Sequence, residues 1–258
     1  MASLDFWDHT AEDIRRIAPD SILFQPVASV EQHGRHLPVG TDSMICTACT
    51  NGLKERIKRE NFPGIFLPLM PYGKSNEHID YPGTITYSLN TYLSVLMDIG
   101  RSAQRSGFKK LVFINGHGGN QEVLDIVCRE IRIETGLQVF ALHPFVRMEP
   151  DFQGVITPKE GRVGIHAGRK ETSVMLKIRP DTVKKELISE DYSVDFEGLK
   201  YIDYSGKVSF GWKTNDVTKT GMVGSAYGAN PEEADHWIRE VVDQMYEACV
   251  EIKDIEML

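Results

Sequence analysis

Two short stretches of this chain concentrate residues that bind metal ions and move protons. The first is Val30-Glu31-Gln32-His33-Gly34-Arg35-His36-Leu37-Pro38-Val39-Gly40-Thr41-Asp42. In an extended segment, residues two apart point to the same side, so Glu31 and His33 present a carboxylate and an imidazole together. Asp42 follows a turn containing glycine and proline and stands just before a helix. Carboxylate plus imidazole, with no thiolate, is a donor set for zinc, manganese or iron(II). A carboxylate has two oxygens, so Asp42 can bridge two ions, as two-metal hydrolysis requires. A plainer account exists: Asp42 can cap the next helix, and Glu31 and His33 can be surface-loop residues.

The second stretch is Asn115-Gly116-His117-Gly118-Gly119-Asn120. It ends a strongly apolar run, and its glycines let backbone approach a ligand closely, which places His117 at the same sheet edge. A phosphate-cradling turn at a helix N-terminus is the alternative, but the spacing matches neither the dinucleotide fingerprint nor the P-loop. A third stretch, Gly164 to Ser173, carries His166 and Glu171, which can also be a core histidine and a first-turn acid favoured by the helix dipole. A fourth, Pro71 to Thr84, follows another apolar run. There Ser75, Glu77 and His78 can contact a substrate or simply build a loop.

The elements that must hold these groups alternate along the chain. Ser21–Ser29, Gly64–Met70, Lys110–Asn115 and Leu137–Leu142 read as buried strands. Ser43–Arg59, Thr91–Gly107 and Gln121–Thr135 carry apolar residues at helical spacing, and Pro231–Ile252 reads as a closing helix capped by Asn230. Strand and helix in alternation predict an α/β fold, a single three-layer domain over residues 1–258 with a mostly parallel sheet and helices on both faces. In such sheets functional groups gather at the carboxyl ends of the strands, where the first two stretches lie. The irregular segments from about Pro150 to Arg162 and Ser189 to Asn230 read as lids or subunit contacts.

Composition narrows the function classes. The 258 residues are 41% hydrophobic and 26% charged, in the globular range. With 29 basic against 37 acidic residues the net charge is −8, and no basic stripe marks a nucleic-acid surface. Cys46 and Cys49 form a C-x-x-C with no second pair; three apart on a helix, they read as core filler. No run is long enough to span a bilayer and no signal pattern opens the chain, so the expected location is cytoplasmic.

Together the four stretches resemble the creatininase (creatinine amidohydrolase) family. The shared motifs are S-V-E-Q-H-G-x-H-L-P-x-G-T-D, P-Y-G-x-S-x-E-H with P-G-T, N-G-H-G-G-N and H-A-G-x-x-E-T-S, in the family's order from about Val27 to Ser173. The resemblance implies two divalent metal ions, a small-molecule substrate and a homo-oligomer, often a hexamer. It also implies that Glu31 and His117 hold one ion, His33 the other, and Asp42 both. His166 would be the catalytic proton carrier and Glu171 a substrate or second-metal ligand. The implied reaction is metal-assisted hydrolysis of an amide or cyclic amide, with backbone amides at Gly118 and Gly119 contacting the oxyanion.

Three departures from the family pattern matter. Creatininase proper has an acid, a second-metal ligand, where this chain has Gly119, which leaves Glu171, water or weak binding for that ion. It also has aromatic residues lining its pocket shortly before the catalytic histidine, where this chain has Arg162, Val163 and Gly164; this argues against creatinine itself. Arg169 stands where many members carry an acid and suggests an anionic substrate. Relatives of this fold also open a cyclic keto-inositol or cleave a peptide precursor, and a non-catalytic metal- or nucleotide-binding protein is the rival from another class.

Overall fold

The computed structural model describes residues 3–152, 154–194, 196–204 and 206–256. The chain runs α1 (Ala11–Ile17), β1 (Ile22–Val27), α2 (Thr41–Arg59), β2 (Gly64–Phe66), α3 (Leu89–Arg105), β3 (Lys110–Asn115), α4 (Gln121–Thr135) and β4 (Gln138–Leu142). It continues through α5 (Pro158–Val163), α6 (Arg169–Ile178), β5 (Glu190–Asp191), α7 (Thr214–Val217), β6 (Gly224–Ser225) and α8 (Pro231–Asp254). The main sheet has the order β2-β1-β3-β4, all parallel, with β1 in register on β3 from Ile22↔Lys110 to Val27↔Asn115.

Period-two alternation sends the side chains of each strand to opposite faces. Ile22, Phe24, Val112 and Ile114 pack on α2, α6 and α8, whereas Leu23, Val27, Leu111 and Phe113 pack on α3 and α4. With both faces covered, the strands are mostly apolar, as parallel sheets require, with Gln25 and Asn115 as buried polar exceptions. Burying each of these side chains fully contributes about 1.5–3 kcal/mol, so the two cores together make a stiff platform. Cys46 and Cys49 lie fully buried in the first core, as expected of filler. Gly100 lets α3 approach α4 closely, since a Cβ there would meet Ile131 Cγ2 at 2.7 Å.

Boundaries shift for local reasons. The run from Gly64 ends as a strand at Phe66 because Pro68 has no N–H, and pairing resumes only at the isolated Val27↔Met70 bridge. The helix expected from Thr91 starts at Leu89, because Ser88 accepts the N–H of Thr91 at 3.2 Å. The helix expected from Ser43 starts at Thr41, with Gly40 as its cap residue. Asp42 is therefore a buried first-turn residue, and the capping account of it does not hold.

Strand order changes direction between β1 and β3, since β2 lies on one side of β1 and β3 and β4 on the other. A crevice opens beyond the carboxyl ends at such a switch point. The segments leaving β1 and β3 are the two stretches richest in metal-type donors.

Candidate metal centre

Close packing of β3 on α2 brings the donors together. A Cβ at Gly116 would lie 2.4 Å from Cys46 Cβ and 3.1 Å from the Asp42 carbonyl, so only glycine lets the end of β3 pass so near the start of α2. The next residue, His117, then sets Nδ1 2.9 Å from Asp42 Oδ2 and Nε2 3.3 Å from Glu31 Oε2. His33 Nε2 is 3.1 Å from Asp42 Oδ1 and 3.8 Å from Glu171 Oε1. Asp42 thus lies between two imidazoles, one oxygen to each. Glu171 reaches the cluster from the first turn of α6, where its Oε2 accepts the Ala167 N–H at 2.6 Å.

His166 is held by backbone. It pairs with Val223 in an antiparallel bridge, and Ala167 beside it has φ 55, a left-handed conformation that costs a residue with a side chain. His166 Nε2–H donates to the Gln32 carbonyl at 2.7 Å, which leaves Nδ1 facing the cluster, 3.7 Å from Glu31 Oε1. Its ring lies over His33 and His78, with centroids 4.2 and 4.3 Å away. His78 Nε2 is 3.2 Å from Glu31 Oε1. On its other side, Gln32 Nε2–H donates to His78 Nδ1 at 2.8 Å and to the Gly221 carbonyl at 2.7 Å.

Burial and charge act against each other here. Burial pushes the Glu31 carboxyl up to about 7, although the positive charge of His117 pulls it down. Burial opposes ionisation of Asp42 as well, but His33 and His117 hold its carboxyl well below the usual carboxylate range. Burial disfavours charge on the imidazoles, yet Asp42 lifts His33 above its ordinary value and Glu31 with Asp42 lifts His117. His166 is different. Burial, aided by the charge on His33, lowers it to about 4, so it stays neutral.

These donors suit divalent cations. Asp42, Glu77 and Glu171, all held below the usual carboxylate range, outnumber the two imidazoles that favour their charged forms, and excess negative charge in a buried place is costly unless cations balance it. Asp42 Oδ2 and Glu77 Oε2 are buried without an aligned hydrogen-bond donor. Glu31, Asp42 and His117 offer ligand atoms within 4.8 Å of one another, and so do His33, Asp42 and Glu171. Glu31 also groups with His33 and His166, and with Glu77 and His78.

A cleft of about 700 Å³ opens over this cluster, lined by His166, Glu171, Gly118 and Gly119 among others. Two residues expected at the substrate are elsewhere. Ser75 is fully buried behind the cluster, with Oγ 3.3 Å from His117 Nε2 and bonded to Ser29 Oγ, so it supports donors instead of meeting substrate. Arg169 turns to Glu233 at 3.0 Å and to the Val155 carbonyl at 2.8 Å, so its charge is already paired and does not select an anion in the cleft. His78 lines the cleft with its ring directed at Glu31, and Glu77 lines it beside His117.

Sequence reasoning missed three contributors. Gln32 stands between two donor residues and gave no signal of its own, yet it orients both His78 and His166. Glu160 is buried, accepts the N–H groups of Ser225 at 2.8 Å and Arg169 at 3.2 Å, and bonds Tyr192 Oη, tying α6 to the antiparallel β5–β6 pair. Arg162 donates to Asp203 Oδ2 at 3.0 Å and to the Leu199 carbonyl at 3.1 Å, fastening a segment whose Tyr204, Phe210 and Trp212 rings wall the cleft. Aromatic residues thus line the cleft from after His166 in the chain, not from before it.

A doubly covered parallel sheet with a buried carboxylate–imidazole cluster at its switch point defines an α/β protein with metal-type donors gathered at one end of the sheet. The chain belongs to the creatininase family of hydrolases, whose model, creatinine amidohydrolase, matches residues 7–249. It is similar to the mycofactocin precursor peptide peptidase of Mycobacterium ulcerans (strain Agy99), with 33% identity over 86% of this chain and 82% of that one. It is also 33% identical to the creatinine amidohydrolase of Pseudomonas putida over 66% of this chain and 69% of the relative. A solved structure described as creatininase Mn matches with a TM-score of 0.78 at 26% identity, covering 98% of this chain and all of that one.

Proposed function

We propose that this protein hydrolyses a C–N bond in an amide or cyclic amide at a centre of two divalent ions. The observation that carries the reading is the position of Asp42, common to two separate groups of ligand atoms. Glu31, Asp42 and His117 would hold one ion, and His33, Asp42 and Glu171 the other. Such a pair, when bound, acidifies a water and polarises a carbonyl. Zinc, manganese and iron(II) all accept this donor set.

The chain's own residues do the rest. Gly118 lines the cleft with nothing within 4 Å of a notional Cβ, so a substrate can approach its backbone closely, and its amide is our candidate contact for the substrate carbonyl oxygen. His166 is neutral, its Nε2–H fixed on the Gln32 carbonyl, so its free Nδ1 takes a proton and returns it to the leaving nitrogen. The Tyr204, Phe210 and Trp212 wall orients the substrate and excludes water from one side. Both the peptidase and the creatinine amidohydrolase named above carry names that imply cleavage of a C–N bond, which supports this class of reaction. The displaced aromatic wall and a cleft of about 700 Å³ favour a substrate larger than creatinine.

The test is a panel of short blocked peptides, cyclic amides and creatinine, assayed before and after chelation. Hydrolysis of at least one amide, lost on chelation and restored by zinc or manganese, is the expected result. Turnover that survives complete metal removal contradicts the proposal.

A further inference from the structure

Gly118 and Gly119 are neighbours in one turn, but their surroundings are opposite. A Cβ at Gly119 would lie 2.2 Å from Glu77 Oε1, 2.6 Å from His117 Nε2 and 2.8 Å from the Lys74 carbonyl. Gly119 is not among the residues with positive φ, so its backbone conformation does not itself require glycine. The space is taken by a carboxylate from another part of the chain.

That carboxylate is delivered by a short 3-10 turn, Asn76–His78. The turn is fixed by the His78 N–H donating to the Ser75 carbonyl at 3.0 Å, and by Thr214 Oγ1 donating to the Glu77 carbonyl at 2.9 Å. The Glu77 side chain is only 14% exposed, with Oε1 3.4 Å from His117 Nε2. Its Oε2 is buried without an aligned donor, the nearest cation being Lys74 Nζ at 3.5 Å. Glu77 also brings a ligand atom within 4.8 Å of those of Glu31 and His78.

We propose that Glu77 is a metal ligand and that Gly119 is the notch that admits it. The inference rests on the reading of this site as a metal centre and assigns Glu77 to an ion on the Glu31 side, beside His117 Nε2. The room that an acid at 119 would take is filled instead by the carboxylate of the turn at 77, directed to the Glu31 side of the cluster and away from His33. The competing role is a loop clamp, in which Glu77 does no more than pair with Lys74 across three residues of chain.

Zinc affinity of the metal-stripped protein, measured in competition with a chromogenic chelator, separates the two. Glu77→Gln keeps the volume and removes the charge. It should weaken the tighter or the weaker zinc by more than about 10–100-fold, the range lost when only a supporting partner of a ligand is removed. Glu77→Asp keeps the charge but withdraws it by one methylene, and should also weaken zinc, whereas a clamp to Lys74 tolerates it. Gly119→Ala should have the same effect by expelling the carboxylate, and the double variant Glu77→Gln/Gly119→Ala should bind no more weakly than either single one. Unchanged zinc binding in Glu77→Gln, with an unchanged melting temperature, overturns the assignment to Glu77. Additive losses in the double variant overturn the notch, because Gly119→Ala then acts through His117. A wild type that takes up no zinc is a different failure, that of the metal centre itself.

Discussion

Replacing His117 by alanine removes metal and turnover together. Among the described residues, His117 is the one group set between Glu31, Asp42 and Glu77, at 3.3, 2.9 and 3.4 Å respectively. Without it three carboxylates face one another in a buried place, and the electrostatic repulsion is relieved by protonation. A protonated carboxyl is a poor ligand, so the loss exceeds one donor. Affinity for zinc should fall beyond the ~10–100-fold scale of a lost supporting partner, and activity should fall with it. Elemental analysis and turnover on the same sample check this, with thermal melting to confirm the fold. Full metal content in a folded but inactive variant would place His117 at the substrate instead.

His166→Ala has the opposite signature. Its Nε2 is engaged with the Gln32 carbonyl and only Nδ1 faces the cluster, which suits a proton carrier. Turnover should fall by roughly a hundredfold or more, the scale of general acid–base catalysis, while metal content stays at the wild-type level. The other possibility is specific, since Glu31, His33 and His166 also offer ligand atoms within 4.8 Å of one another. If the variant loses an ion, His166 is a ligand and the proton must travel by another group.

The parts of this site that could be read in the sequence share one property: their geometry is local. Glu31 and His33 lie two apart, His117 ends an apolar run among glycines, and Glu171 starts a helix. The four strands of the main sheet and their parallel pairing were equally legible from apolar runs too short for helices. What was hidden depends on contacts between distant segments. Gly119 looked like a lost acid, because nothing local says that Glu77 fills the same space. Arg169 looked like an anion receptor because its partner Glu233 lies 64 residues away on α8. Likewise Arg162 seemed to replace an aromatic residue, while in the fold it anchors the segment bearing Tyr204, Phe210 and Trp212.

A pair of ions sharing Asp42 is decided by the metal content per chain. Wild-type protein and the Glu171→Ala variant would be stripped, reloaded with zinc or manganese, freed of excess metal and analysed by elemental measurement. The account predicts about two ions in wild type and about one in the variant, since Glu171 serves only the ion on the His33 side. One ion or none in reloaded wild type would contradict it, leaving the fold and the family but not the dinuclear centre.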